Sequence, residues 1–243
     1  MQHHYTADFG DFVKLALIRS LAAAAAPGVV WYLVDKHHRP GDGRHVAYLD
    51  NAPFWRDLDP TLFDSLRNIV TSGERHIRLL SPLLPHGTPF FDNPVPCPAE
   101  WSERPAARRT WLQHAVGAME RAGFVFLDPD NGLASERRRP THSLAVKSVL
   151  PEEIMAFRGE GRPVLLYHHH SRRRGGHLAE IDALRMRLQG FGCRTVDAMR
   201  SPSYSPRCFL LLNGTTSLRK ALHEFASRWG RHGVTHHPDP GSA

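Results

Sequence analysis

The second half of the chain alternates short apolar segments with segments of helical length. Short runs of apolar residues are typical of strands that are buried on both faces of a sheet. Their alternation with helices favours a mostly parallel sheet covered by helices on both sides. The predicted strands cover residues 124–127, 163–167, 193–196 and 208–212, and the predicted helices cover residues 151–157, 176–189 and 217–229.

The first half predicts a helix and a strand, followed by a more irregular stretch. Residues 11–26 place apolar side chains at helical spacing, and Pro27 and Gly28 stop that helix. Further elements predicted here are a strand over residues 29–34, a helix opened by Asp59 and Pro60 that runs to about Val70, a short strand over residues 77–80, and a helix over residues 106–121 that ends at Gly123.

These patterns together predict one α/β domain over residues 1–231 with a Rossmann-like architecture. A proline-rich insertion is expected at about residues 81–105, and residues 232–243 are expected to form a disordered tail. Only residues 197–207 separate the last two predicted strands, which allows an antiparallel hairpin at the edge of the sheet.

Composition narrows the class of protein. No run of about 18 apolar residues occurs, so we expect no membrane span, and no signal peptide is recognisable. Cys97, Cys193 and Cys208 lack a CxxC spacing and are interpreted as reduced thiols of a cytoplasmic protein. The formal net charge of +7 favours a nucleic-acid partner, RNA in particular, with a solvated basic surface as the alternative.

Polar clusters follow three of the predicted strands. In parallel α/β sheets, ligands bind at the carboxyl ends of the strands, so these clusters are expected to meet at one edge. The clusters contain Asp35, His37, Gly41 and Gly43; Asp128, Pro129, Asp130, Asn131 and Gly132; and His168, His169, His170, Arg172, Arg173 and His177.

The Asp-Pro-Asp-Asn-Gly segment at 128–132 is the strongest candidate for an active site. Each of its residue types also favours a plain turn. Asp128, however, directly follows four apolar residues, where an unpaired carboxylate is costly. A carboxylate held there accepts a hydrogen bond from a substrate amine, and the carbonyl of Pro129 offers a second acceptor. Asp130 is a candidate general base, second acceptor or metal ligand.

The first helix carries Asp8, Asp11 and Lys14 at a spacing of three residues. This spacing places them on roughly one side of its first turns, where they would reach a common site. The alternative is that the two aspartates cap the helix and complement its dipole.

These segments resemble the adenine-N6 methyltransferases that modify large-subunit ribosomal RNA. Those enzymes begin with a helix that carries Asn-x-x-Asp-x-x-Lys, and here an aspartate replaces the asparagine. Their next strand leads to an Asp, a His two residues later and a glycine pair, to which Asp35, His37, Gly41 and Gly43 are similar with a longer spacing.

The resemblance extends to the catalytic loop, which in that family is Asp-Pro-Pro followed by an aromatic residue that stacks on the target base. Here the loop reads Asp128-Pro129-Asp130-Asn131, so an aromatic would have to come from elsewhere, such as Phe90, Phe91 or Tyr167.

The resemblance implies a Rossmann-like methyltransferase fold and N-methylation with S-adenosylmethionine, without a metal. Asp8, Asp11, Lys14 and the segment from Asp35 to Gly43 would hold the cofactor. The residues expected to contact the substrate are His168, His170, Arg172 and Arg173.

Two other classes remain open. Asp128, Asp130, His168, His170 and His177 would form a zinc or transition-metal site in a metal-dependent nuclease or hydrolase. The departures in the catalytic and glycine loops also allow a catalytically inactive methyltransferase-like module that binds nucleic acid or a protein.

Overall fold

The computed structural model describes residues 2–34, 43–135, 141–171 and 174–242. In this part of the chain, strands and helices alternate around one sheet. The strands are β1 (Pro27–Trp31), β2 (Phe90–Phe91), β3 (Phe124–Asp128), β4 (Val164–His169), β5 (Val196–Ser201), β6 (Arg207–Leu212) and β7 (Thr235–His237). The helices are α1 (Phe9–Leu21), α2 (Ala52–Trp55), α3 (Pro60–Ser72), α4 (Arg104–Ala118), α5 (Pro151–Arg158), α6 (Gly176–Gly190) and α7 (Thr216–Arg228).

The strands of this described region form one mixed sheet in the order β2-β1-β3-β4-β6-β5-β7. β2, β1, β3 and β4 are mutually parallel, whereas β6 runs antiparallel to both β4 and β5, and β7 runs antiparallel to β5. Five of the seven strands therefore point the same way, and the expected α/β class with a mostly parallel sheet is confirmed.

The antiparallel hairpin of β5 and β6 has a different position from the one expected. It does not form the edge of the sheet, because β6 lies between β4 and β5, and β7 pairs with the outer side of β5.

A hydrophobic core lies on each face of the sheet. Alternate residues of a strand point to opposite faces, so Phe126 packs in the core beneath α1, α3 and α7, whereas Leu127 packs in the core beneath α4, α5 and α6. All five residues of β3 are buried, which explains why this strand is uniformly apolar up to Asp128. No helix in the described segments is long and apolar enough to cross a membrane.

α1 starts earlier and ends earlier than residues 11–26. The Asp8 side chain accepts a hydrogen bond from the backbone N–H of Asp11 and thereby caps the helix, which begins at Phe9. After Leu21 the alanine run forms a turn that redirects the chain, and Pro27 begins β1 instead of only stopping the helix.

Three other expectations were wrong. Residues 77–80 belong to a 3₁₀ helix, Ile77–Leu83, and not to a strand. The strand expected at residues 193–196 starts only at Val196, because the N–H of Cys193 bonds back to Leu188 at the end of α6. α4 ends at Ala118, and Gly123 instead donates its N–H to the carbonyl of Ala26.

Part of the segment expected to form a disordered tail, Thr235–His237, forms strand β7 of the sheet. Asp239 Oδ2 accepts the N–H of Val196 at 2.7 Å, and Asp197 Oδ1 accepts the N–H of Asp239 at 3.0 Å. These buried hydrogen bonds hold the tail against β5.

Candidate active site

A cavity of about 470 Å³ lies at the carboxyl ends of β3 and β4, beside the start of α1. After β1 the chain adds β2 on one side and then crosses to place β3 on the other side. The gap between β1 and β3 is therefore a topological switch point, and the cavity borders it on the β3 side through residues 128–131. The cavity has the size of a small-molecule site.

Lys14 reaches from α1 into this cavity and joins two carboxylates. Its Nζ lies 2.9 Å from Asp128 Oδ2 and 3.4 Å from Asp11 Oδ1, and 4.7 Å from the centre of the Tyr167 ring. Burial opposes the charge of Lys14, but the attraction of Asp128 and Asp11 outweighs it and raises the lysine pKa above its usual range. Lys14 is therefore a fixed cation.

Asp128 offers one unused acceptor beside that cation. It is 1% exposed, and its buried Oδ1 has no hydrogen-bond partner in the described part of the chain, while Oδ2 binds Lys14. Burial raises the pKa of Asp128 against the pull of Lys14. A buried carboxylate oxygen without a donor is costly, and a ligand N–H in the cavity would satisfy it.

Hydrogen bonds and an ion pair to neighbouring segments hold the loop that follows Asp128. Asp130 Oδ2 lies 3.2 Å from Lys147 Nζ and accepts a hydrogen bond from Gln2, and the Asn131 N–H bonds to the Lys147 carbonyl. Pro129, Asp130 and Asn131 all line the cavity, as does Lys147. The loop therefore presents a rigid polar wall to a ligand.

Gly132 is required by the way this loop packs. Its φ is +81°, and a Cβ atom there would overlap with the His168 ring. The N–H of Leu133 donates to His168 Nδ1 at 3.2 Å, so His168 carries its proton on Nε2, which faces Glu180 at 3.5 Å. His168 thus supports the loop from outside the cavity.

His168 and His170 share a face, as strand alternation predicts, but this face points away from the cavity. His170 Nδ1 lies 2.8 Å from Glu180 and its ring stacks on His177 at 4.2 Å. Burial lowers the pKa of His170 to about 4, against the hydrogen bond to Glu180, so the ring is neutral near pH 7. Of the three consecutive histidines, it is His169 that lines the cavity, although only His168 and His170 were expected to contact the substrate.

The residues of the metal site predicted as an alternative fall into two separate groups. Asp128 and Asp130 face the cavity, whereas His168, His170 and His177 cluster around Glu180. Within the described ranges, no group of three or more His, Cys, Asp or Glu side chains is arranged to hold a metal ion.

The residues expected to hold the cofactor are only partly within the described structure. Asp8, Lys14 and Gly43 line the cavity, whereas Asp11 is fully buried behind it and accepts the Ala7 N–H. A Cβ atom on Gly43 would overlap with the His4 carbonyl oxygen, and its φ is +70°. The predicted site residues outside the described segments are Asp35, His37, Gly41, Arg172 and Arg173.

Some residues that line the cavity were not predicted from the sequence, and Tyr167 was only one of three candidate aromatic residues. Tyr167 lines the cavity, whereas Phe90 and Phe91 lie in β2 away from its lining. Arg207 and Ser205 also line it, from the start of β6 and the segment before it. The only sequence signal for Arg207 was its position just before the apolar run 208–212.

Comparison with known protein families finds none that matches the chain, and comparison with curated proteins finds no significant relative.

Proposed function

We propose that this protein is an S-adenosylmethionine-dependent N-methyltransferase-like enzyme that acts on the exocyclic amine of a nucleobase or on a related amine. The observation that carries the proposal is the buried Oδ1 of Asp128, which has no hydrogen-bond partner among the described residues and lies at the wall of the cavity. This atom has the chemistry needed to accept an amine N–H at the place where α/β sheets bind their ligands.

The sheet supports a Rossmann-like methyltransferase fold as part of this proposal. Its parallel half carries the switch point, and its antiparallel half begins where β6 inserts beside β4. Asp8, Lys14 and Gly43 line the cavity from the segments that the resemblance assigns to the cofactor.

The side chains of this cavity favour positioning and electrostatic catalysis. Asp128 Oδ1 would accept one hydrogen bond from the amine and increase the electron density on its nitrogen. Lys14 holds the carboxylate in place at 2.9 Å, so little reorganisation is needed when the amine binds. Tyr167 also lines the cavity and would supply the aromatic side chain that position 131 lacks. Bound S-adenosylmethionine would supply an electrophilic methyl group and leave as S-adenosylhomocysteine, and the methylated amine would release one proton to solvent.

The basic character of the protein supports a nucleic-acid substrate. The formal net charge is +7, and Arg44, Lys147 and Arg207 line the cavity along with Lys14. The three cysteines form no disulfide, which agrees with a reducing, cytoplasmic environment.

The proposal is tested by comparing Asp128→Asn with the wild type. We expect S-adenosylmethionine to bind both proteins with dissociation constants within about threefold of each other in calorimetry. Transfer of a labelled methyl group to total RNA should fall by about 100-fold or more in the variant, comparable with the loss of one catalytic hydrogen bond.

Asp64→Asn is the matched control, because it makes the same chemical change in an exposed ion pair with Arg56. It should keep full activity. Equal activity in Asp128→Asn and the wild type would remove this loop from the mechanism. Absence of S-adenosylmethionine binding to the wild type would refute the enzyme and favour the binding module.

A further inference from the structure

Arg207 is a buried arginine at the wall of the same cavity. It is only 3% exposed and begins β6, directly opposite His169 of β4. Directly opposite residues of an antiparallel pair point to the same face. Arg207 therefore faces the α1 side, where its guanidinium carbon lies 5.6 Å from the centre of the Phe9 ring.

Asp8 lines the same cavity and its Oδ1 accepts the Asp11 N–H, but no carboxylate of the described segments forms an ion pair with this guanidinium. Its Nε and Nη1 are both buried and have no hydrogen-bond partner among the residues that the structure describes. Two other buried arginines are well satisfied: Arg108 binds Glu153 at 2.6 Å and two backbone carbonyls, and Arg185 binds Asp182 at 3.0 Å and three carbonyls. Arg207 thus differs from the arginines that serve the fold.

An unpaired buried cation is costly, and proteins normally pair it with an anion or with several acceptors. The contact with Phe9 compensates only a part of this cost. Because a guanidinium carries a delocalised charge and several donors in one plane, a partner that suits it is an oxyanion with more than one acceptor oxygen. Since Arg207 lines the cavity, a ligand there can supply this oxyanion.

The surroundings favour a phosphate. Arg44 adds a second cation to the lining of this cavity, and Ser205 adds a hydroxyl group close to Arg207 in sequence. Lys14 and Lys147, the lining lysines, are already paired with Asp128 and Asp130. A phosphate has enough charge and acceptor oxygens to bind the guanidinium of Arg207 and still reach further donors.

We propose that Arg207 binds the phosphate group of a nucleotide whose base amine lies at Asp128. The inference rests on the proposed function for the role of Asp128. Asp128 ends β3, and Arg207 lies two strands away on β6. Neighbouring strands are about 4.8 Å apart, and Arg207 also lies about two residues further along the strands, so the two backbone positions are separated by about 12 Å. This span is comparable with the length of one nucleotide.

The test is calorimetric titration without cofactor. The probes are the 5′-monophosphates of adenosine, guanosine and cytidine, whose bases carry exocyclic amines, and the three matching nucleosides. Wild type should bind at least one monophosphate about 10- to 100-fold more tightly than its nucleoside, as charge-assisted hydrogen bonds provide. In Arg207→Met this preference should fall below about threefold.

Arg78→Met is the control, since that arginine is exposed and lies outside the cavity lining. It should retain the full preference for the monophosphate. The inference is overturned if the wild type does not distinguish monophosphates from nucleosides, if it binds no monophosphate, or if Arg207→Met keeps the preference.

Thermal unfolding separates this role from a structural one. An arginine needed for the fold would lower the melting temperature when replaced, whereas removal of an unsatisfied buried charge should leave it unchanged or raise it. Inorganic phosphate should raise the melting temperature of the wild type and not that of Arg207→Met. Monophosphate binding without methyl transfer would refute the proposed function alone, and transfer that is insensitive to Arg207→Met would refute only this inference.

Discussion

Replacing Lys14 by methionine removes the cation between two buried carboxylates. At 2.9 and 3.4 Å, the two ion pairs are each worth about 5 to 6 kcal/mol at an effective dielectric constant of 20, before desolvation is subtracted. Breaking a buried pair from one side typically costs about 3 to 5 kcal/mol, and we expect Lys14→Met to lose this much stability at pH 7.5.

The loss of stability in Lys14→Met should depend on pH, because protonation of Asp11 and Asp128 removes the unpaired buried charges. Without Lys14, burial raises their folded-state pKa values further above the unfolded ones. Their contribution to stability is then present at low pH and is lost as pH rises through the folded pKa. The deficit relative to the wild type should shrink as pH falls from 7.5 to 5, by at most about 1.4 kcal/mol per pH unit for each carboxylate.

Urea unfolding followed by circular dichroism measures this deficit directly. Lys220→Met is the control, because Lys220 is exposed and only 3.8 Å from Glu224 in a helical pair, so it should change stability by less than about 0.5 kcal/mol. The double variant Lys14→Met/Asp128→Asn should recover part of the loss. A deficit below about 1 kcal/mol, or one that does not change with pH, would refute the description of Lys14 as a buried charge partner.

Two further predictions concern residues around the site. Gly132→Ala should destabilise the protein by about 2 to 4 kcal/mol in urea unfolding, since its methyl group would overlap with His168. Gly73→Ala is the control and should cost only about 1 kcal/mol, because Gly73 has a φ of +77° with open space around it. Equal effects of the two substitutions would contradict the packing of His168 against Gly132. Burial raises the pKa of Asp11 to about 7, so its contribution to stability is lost as pH rises from about 4 to 7. The wild type should therefore lose more stability than Asp11→Asn between pH 5 and 7, and parallel pH profiles would exclude a raised Asp11 pKa.

The strands buried on both faces were the most predictable part of the fold. β3, β4 and β6 were expected to within two residues, because burial on both sides demands uninterrupted apolar side chains. β2 and β7 were missed. Phe90–Phe91 lies in a proline-rich stretch, and Thr235–His237 is polar, so only the neighbouring strand explains why either pairs.

The site was predictable where it follows directly from a strand end. Asp128 to Asn131 and Lys14 were selected separately, and the structure brings Lys14 and Asp128 within 2.9 Å across 114 residues of sequence. The histidines show the limit of this reasoning. Strand alternation predicts that His168 and His170 lie on one face of the sheet and His169 on the other. Only the position of α1 shows that the cavity is on the face of His169.

Arg207 could not be ranked from the sequence, because its significance comes from what is missing around it. The chain contains many arginines, and their order along the sequence does not reveal which one is buried without a carboxylate. Packing against Phe9 and the absence of a partner for Nε and Nη1 distinguish it.

The central claim is that the cavity beside Asp128 holds the methyl donor and its acceptor amine. A crystal structure of the protein soaked with S-adenosylhomocysteine, the demethylated product, tests it most directly. We expect density for the ligand inside the cavity bounded by Lys14, Asp128 and Tyr167. Density at another place on the molecule, or an empty cavity at saturating ligand, would contradict the account.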